Sequence, residues 1–155
     1  MADEAILLNA RVGAYLQELG LAPAARRGGG WSVELPSIKR GGIGVGLRAH
    51  ERTVRLGAFV MRAPDLEHEA VYRRMLERNL QMAYWRFGLD PDGDLVLAAH
   101  LEDSELKPGT LDTVLGLLVT YVDESYEGLV RLGFAIPSDI VIGAPPPTAP
   151  RAGAG

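Results

Sequence analysis

Alternation of apolar and polar residues is the clearest pattern along the chain, and it predicts two β-hairpins. The first alternates from Ile43 to Val60 on either side of a break at His50-Glu51-Arg52. The second is predicted over residues 81–101, around Asp90-Pro91-Asp92-Gly93, where proline presets φ and glycine supplies a positive φ. A shorter strand, residues 31–35, precedes both hairpins and ends at a proline.

Helical periodicity predicts three helices, over residues 3–19, 65–80 and 108–132. Asp65 is a plausible N-cap of the second helix. The glycine-rich segment 22–30 is predicted to be a loop. The element order is therefore α-β-β-β-α-β-β-α. This order predicts an α+β fold in which helices pack on one mainly antiparallel, five-stranded sheet.

The chain of 155 residues is predicted to form one α/β domain over residues 1–136. Residues 137–155 are rich in proline, alanine and glycine, and a disordered tail is expected there.

Composition narrows the partners that the chain is expected to bind. It has no cysteine and a net charge of −4, and its arginines and lysines are scattered. Nucleic-acid binders usually carry a basic stripe, so a nucleic-acid partner is not expected. No signal-peptide pattern and no apolar run long enough to cross a bilayer occur in the sequence. We therefore expect a cytoplasmic protein without a membrane partner.

The glycine cluster at 41–46 does not match a dinucleotide-binding motif. That motif needs G-x-G-x-x-G between a strand and a helix. Counted from Gly42, the third glycine should fall at Leu47, and a strand follows instead of a helix. The cluster indicates a flat strand face that another backbone can approach closely. No cofactor is predicted.

The run Asp90-Pro91-Asp92-Gly93-Asp94 resembles a calcium loop only superficially. An EF-hand loop starting at Asp90 needs glycine at its sixth position and glutamate at its twelfth. Leucine occupies both, at Leu95 and Leu101. A hairpin turn explains the aspartates, and no metal site is predicted.

No catalytic residue is predicted. His50, His68 and His100 have no histidine partner at ligand spacing, and no serine lies in a recognised nucleophile motif. We therefore predict that the protein is not an enzyme.

Apolar residues on the outward faces of both hairpins suggest contact with another molecule. We expect that second face to be covered by Tyr72 and Leu76 of the middle helix, by a second subunit or by a bound segment; packing within one chain is an equal alternative. The residues expected at a dimer or partner surface are Phe59, Met61, Tyr72, Met82 and Tyr84.

Five motifs in residues 31–134 resemble the bacterial YbjN-domain family. They are Trp31-x-Val33-x-Leu35-Pro36, Arg52-Thr53-Val54, Tyr72-x-x-Met75-Leu76-x-Arg78-Asn79, Arg86-Phe87-x-Leu89-Asp90-x-Asp92-Gly93-Asp94-Leu95 and Val122-Asp123-Glu124-x-Tyr126. The family is described as a sensory transduction regulator, which names no mechanism, and it offers no catalytic residue to carry over.

The resemblance also implies a fold similar to class I type III secretion chaperones, which are acidic homodimers that hold a partly unfolded segment of a partner. It therefore implies a non-catalytic, dimeric protein-binding or chaperone-like module that binds itself and another protein or peptide. The alternative is a small-ligand sensor with an apolar pocket between sheet and helices.

Overall fold

The computed structural model describes residues 2–137 and 139–142 and contains one six-stranded antiparallel sheet with three helices. The strands lie side by side in the order β1-β2-β3-β4-β6-β5. A 3-10 turn, Asp103–Glu105, precedes the last helix. The helices and strands are α1 (Ala2–Glu18), β1 (Ala24–Ala25), β2 (Trp31–Ser37), β3 (Gly41–His50), β4 (Thr53–Met61), α2 (His68–Asn79), β5 (Arg86–Leu89), β6 (Leu95–Glu102) and α3 (Pro108–Gly133).

The predicted element order is confirmed, but the sheet has six strands instead of five. The additional strand, β1, has two residues and pairs with the start of β2, Ala24 opposite Ser32. It lies in the segment that was predicted to be a loop. Gly28, Gly29 and Gly30 all have positive φ, so the chain reverses within this glycine run. Two residues are too few to produce an alternating pattern, which is why the sequence did not reveal this strand.

The second hairpin is shorter than predicted, because β5 begins at Arg86 and not at residue 81. The segment before it turns, with Tyr84 at φ 65°. Trp85 is fully buried, and its indole Nε1 donates to the Val114 carbonyl of α3 at 2.8 Å. Asn79 at the end of α2 accepts from the Phe87 amide at 2.7 Å. These two hydrogen bonds hold the turn against the helices, so it need not form a strand.

Helix α2 also begins later than predicted, at His68. Asp65 does not cap it but forms an ion pair with Arg62 at 3.0 Å. This hydrogen-bonded pairing lowers the pKa of Asp65. The residue before the helix is Glu67, which adopts the left-handed conformation. The amides of Asp65 and Leu66 donate to the Gly133 carbonyl at the end of α3.

The hydrophobic core lies between the sheet and the helices. Helix α1 packs on β3, α3 packs on β2 and β4, and α2 packs on β5 and α3. The alternating apolar residues of both hairpins point to this side, as predicted. The buried strand residues include Val33, Leu35, Ile43, Val45, Leu47, Val54, Leu56, Ala58, Val60, Leu95, Leu97 and Leu101.

The tail predicted for residues 137–155 falls mostly outside the described residues, which end at residue 142 and omit residue 138.

Candidate interaction surfaces

The side of the sheet that faces away from the core carries a row of very small residues. Ser32 pairs with Gly46, Gly46 with Gly57, and Gly57 with Ala98. The row therefore crosses β2, β3, β4 and β6 at right angles to the strands. No helix of the described residues packs on this side, and Gly57 and Ala98 are exposed.

Larger side chains stand on either side of this row. On one side, Arg48 lies opposite Arg55, and Arg55 lies opposite His100. On the other side, Phe59 lies opposite Val96. The resulting concavity, which we call the trough, has a volume of about 740 Å³. Arg26 closes one end, because its guanidinium lies directly over Gly46.

Helix α2 carries a second exposed surface, which is apolar. Val71 and Met75 face the core, whereas Leu76 is 67% exposed and Leu80, just after the helix, is 91% exposed. Half-buried Tyr72 is four residues before Leu76 and so lies on the same side. We call these three residues, Tyr72, Leu76 and Leu80, the α2 outer surface. The charged residues Glu69, Arg73 and Glu77 line it.

This geometry corrects the expectation that Tyr72 and Leu76 cover the second face of the sheet. Helix α2 lies on the core side, against β5 and α3. Leu76 therefore points to solvent and leaves the trough uncovered.

The five residues predicted at a contact surface do not form one patch. Phe59 is 36% exposed and lies in the trough, Tyr72 is on the α2 outer surface, and Tyr84 is 44% exposed in the turn after α2. Met61 and Met82 are only 4% and 6% exposed, within one subunit.

A β-bulge explains the burial of Met61. Strict alternation would place Met61 beside Phe59 on the outer side. The register of β4 against β6 shifts between these two residues, and an inserted residue reverses the side to which the next side chain points. Met61 instead packs near the end of α3, where a Cβ on Gly133 would lie 3.3 Å from its Cε atom.

Phe59 also contacts a cation on its own chain. The guanidinium of Arg40 lies 5.5 Å from its ring centroid, within the range of a cation–π interaction. Arg40 also donates through Nε to the Val60 carbonyl at 2.8 Å. Burial lowers the pKa of Arg40. This arrangement places the Phe59 ring beside the Arg40 guanidinium at the trough wall.

The cationic side of the trough was not predicted from the sequence. Arg48 and Arg55 meet across the hairpin of β3 and β4, but His100 joins them only because β6 pairs with β4, and Arg26 reaches Gly46 from the segment before β2. The glycine cluster was the one signal, because it indicated a face open to close approach.

The aspartates of the second hairpin lie close together but serve the turn. One carboxylate oxygen each from Asp90, Asp92 and Asp94 lie within 4.8 Å of one another. Asp90 accepts from the amides of Asp92 and Asp94, at 2.9 and 3.0 Å. Asp94 accepts from the Ala63 amide at 2.8 Å. These bonds fix the hairpin turn and tie it to the end of β4.

The space between sheet and helices, where a sensor would hold its ligand, is filled by the buried side chains of the core. Among the described residues, no helix combines the length and the apolar character needed to cross a bilayer.

A family model matches residues 10–131 of the chain. It is the YbjN model, described as "Putative bacterial sensory transduction regulator". An uncharacterized protein of Mycobacterium tuberculosis is 37% identical over 102 residues, which cover 66% of this chain and 56% of that protein. A protein of Mycobacterium leprae is 35% identical over 102 residues, with 66% and 55% coverage. The chain thus spans little more than half the length of these relatives.

Solved structures with a similar fold include type III secretion chaperones. The crystal structure of the ExsC–ExsE complex matches with a TM-score of 0.60 and 18% identity, covering 81% of this chain and 96% of that chain. The Yersinia pestis chaperone SycH, solved with a fragment of YscM2, matches with a TM-score of 0.56 and 20% identity, covering 74% and 96%. YbjN from E. coli matches with a TM-score of 0.55 and 12% identity, covering 76% and 90%.

Proposed function

The chain belongs to the YbjN family, and from this premise we propose that it is a non-catalytic, dimeric protein-binding module that acts in the cytoplasm. The fold supports a protein-binding role, because several structures that share it are complexes of a secretion chaperone with a protein. The family description and these names refer to a regulator and to chaperones, not to a reaction.

The exposed apolar residues of the α2 outer surface are the main support for a dimer. Leu76 on the short helix α2 and Leu80 just after it are exposed next to each other. Burying an exposed leucine side chain is worth roughly 1.5–3 kcal/mol, so a second subunit that covers both would gain substantially. The half-buried ring of Tyr72 extends the same surface toward the start of the helix.

The charges around this surface suit contact with an identical copy. Arg73 lies between Glu69 and Glu77, and its ion pair with Glu69 is long, at 3.7 Å, and exposed. In a two-fold interface every contact occurs twice: if a residue of one subunit contacts a given residue of the other, the reverse contact is also made. Two antiparallel α2 helices could therefore pair the arginine of each with a glutamate of the other while the leucines pack between them.

The residues predicted at a contact surface then divide between two roles. Tyr72 belongs to the proposed dimer surface, and exposed Tyr84 follows it in the chain. Phe59 belongs to the trough. Met61 and Met82 are buried within the subunit and belong to neither surface.

Light scattering after size exclusion tests this proposal. We expect wild type to elute at twice the chain mass of 16.7 kDa, and Leu76→Glu and Leu80→Glu to elute as monomers with unchanged circular dichroism. Ile38→Glu is the matched control, because Ile38 is 86% exposed but lies in the turn between β2 and β3. A monomeric wild type, or dimers that persist in both leucine variants, would overturn the proposal.

A further inference from the structure

We propose that the trough binds an acidic, extended segment of a partner protein. This inference names the chemistry of one partner of the proposed protein-binding function, and it rests on that function. The trough is separate from the α2 outer surface, so both can be occupied together.

Like charges lie opposite one another on one side of the trough. Arg48 and Arg55 are directly opposite one another on adjacent strands, with His100 opposite Arg55. Like charges at such positions destabilise a sheet. Within the described residues neither arginine forms an ion pair, whereas six other arginine or lysine residues do. A bound carboxylate would relieve this repulsion and form charge-assisted hydrogen bonds with the guanidinium groups.

The floor of the trough is open to another backbone. Glycine in a strand interior weakens a sheet and often marks a place where another backbone approaches closely. Nothing lies within 4 Å of a Cβ built on Gly57, so the space above it is open. The rows of larger side chains that form the two walls each lie two residues along the strands from the glycine row, a distance of roughly 6.8 Å. This width admits one extended chain between the two walls.

The two walls also differ in chemistry. The arginine wall is cationic, whereas Phe59 and Val96 make the opposite wall apolar on β4 and β6. On β3 this opposite wall carries the Glu34 carboxylate, whose Oε1 atom would lie 3.2 Å from a Cβ on Gly44, so acidic side chains of a partner are directed to the arginine wall. Successive side chains of an extended segment point to opposite sides. A segment that alternates acidic with apolar residues would therefore place carboxylates against Arg48 and Arg55 and apolar groups against Phe59.

Other occupants fit these observations less well. Residues 143–155 of this chain contain no aspartate or glutamate, so they do not complement the arginines. Single-stranded nucleic acids are held by aromatic side chains that stack successive bases. The trough has a single aromatic residue, Phe59, and its ring is already in contact with Arg40.

Fluorescence anisotropy with the full chain and a dye-labelled peptide of alternating glutamate and leucine tests the inference. We expect saturable binding that weakens as salt is added. Two variants should each lose roughly tenfold or more in affinity: Arg48→Gln/Arg55→Gln, which removes the cations, and Gly57→Val, which fills the floor. Gly57→Val should fold normally, because a Cβ at this position has no atom within 4 Å and valine favours strands.

Arg74→Gln/Lys107→Gln is the matched control, since it removes two exposed positive charges that lie outside both the trough and the α2 outer surface, and it should leave peptide affinity unchanged. The inference is overturned if wild type does not bind the peptide, or if a lysine–leucine peptide or oligothymidylate binds as tightly. It is also overturned if the trough variants bind like wild type. Light scattering on the same samples separates the two proposals: a dimer that ignores the peptide contradicts only the trough, and a monomer that binds it contradicts only the dimer.

Discussion

The two faces of the sheet are built from alternate residues of the same strands, but their side chains differ in size and in charge. On the face toward the helices, residues such as Leu47, Leu56 and Leu97 are large, apolar and buried. On the other face their neighbours Gly46, Gly57 and Ala98 are small, with arginines beside them. One face therefore supplies the stability of the fold, whereas the other contributes little to it and is free for binding.

The exposed apolar side chains do not lie where the sequence predicted them. Both faces of the sheet were expected to carry excess apolar residues, and this is wrong for the outer face, where the trough offers only Phe59 and Val96 as large apolar side chains. In the helical layer the most exposed leucine is Leu80, which lies beside the exposed Leu76. Self-association is thus proposed through a helix, and partner binding through the sheet.

The largest expected loss of stability comes from the covered side. Trp85→Ala should lower the free energy of unfolding by about 3–5 kcal/mol, because it removes a fully buried ring. It also removes the hydrogen bond to Val114. Urea unfolding measures the change, and a loss under about 1 kcal/mol would mean that the covered face is not the stabilising one.

Two adjacent residues of β4 compare the faces most closely. Leu56→Ala should cost about 2–5 kcal/mol, because it leaves a cavity in the core. Gly57→Val should change stability by no more than about 1 kcal/mol, because the site is open and valine favours strands. Thermal or urea unfolding of both variants provides the test, and equal losses would remove the distinction between the faces.

Two helical glycines extend the test to the helices. Gly13→Ala should cost about 1–3 kcal/mol, because its Cβ would lie 2.6 Å from the Trp31 ring. Gly116→Ala meets nothing within 4 Å and should stabilise α3 by up to about 1 kcal/mol through helix propensity. Unfolding midpoints measured side by side should move in opposite directions; a shift in the same direction would contradict this account of the packing.

The smallest expected effect is a pH dependence at the edge of the covered side. Arg131 donates to Glu127 at 3.0 and 3.2 Å, and this hydrogen bonding, aided by Lys39, lowers the pKa of Glu127. A carboxyl with a lowered pKa stabilises the fold above its ordinary value, near 4.5, and loses that contribution as pH falls through the lowered value. Unfolding measured below pH 4.5 should therefore show a shallower acid loss in Glu127→Gln than in wild type; parallel curves would exclude the contribution.

Local alternation was enough to predict the hairpins, because one face of each is buried and the other is not. It could not predict the two-residue β1, or the bulge that turns Met61 inward. It also missed the turn before β5, where the hydrogen bond that Trp85 donates to Val114 and the one that Asn79 accepts from Phe87 override the strand pattern.

The trough required information that no single strand contains. Arg48 and Arg55 meet across one hairpin, but His100 joins them only because β6 pairs with β4. Strand order and register are set by packing of the whole core, so the cationic wall could not be located from spacing along the chain.

The central claim is that the uncovered face of the sheet binds an acidic partner segment and that the α2 outer surface does not. Amide NMR spectra of the full chain, titrated with the glutamate–leucine peptide, test this directly. The account predicts shifts of Gly46, Gly57 and Ala98, with Leu76 and Leu80 unmoved. Shifts confined to α2, or none along the glycine row at saturation, would contradict it.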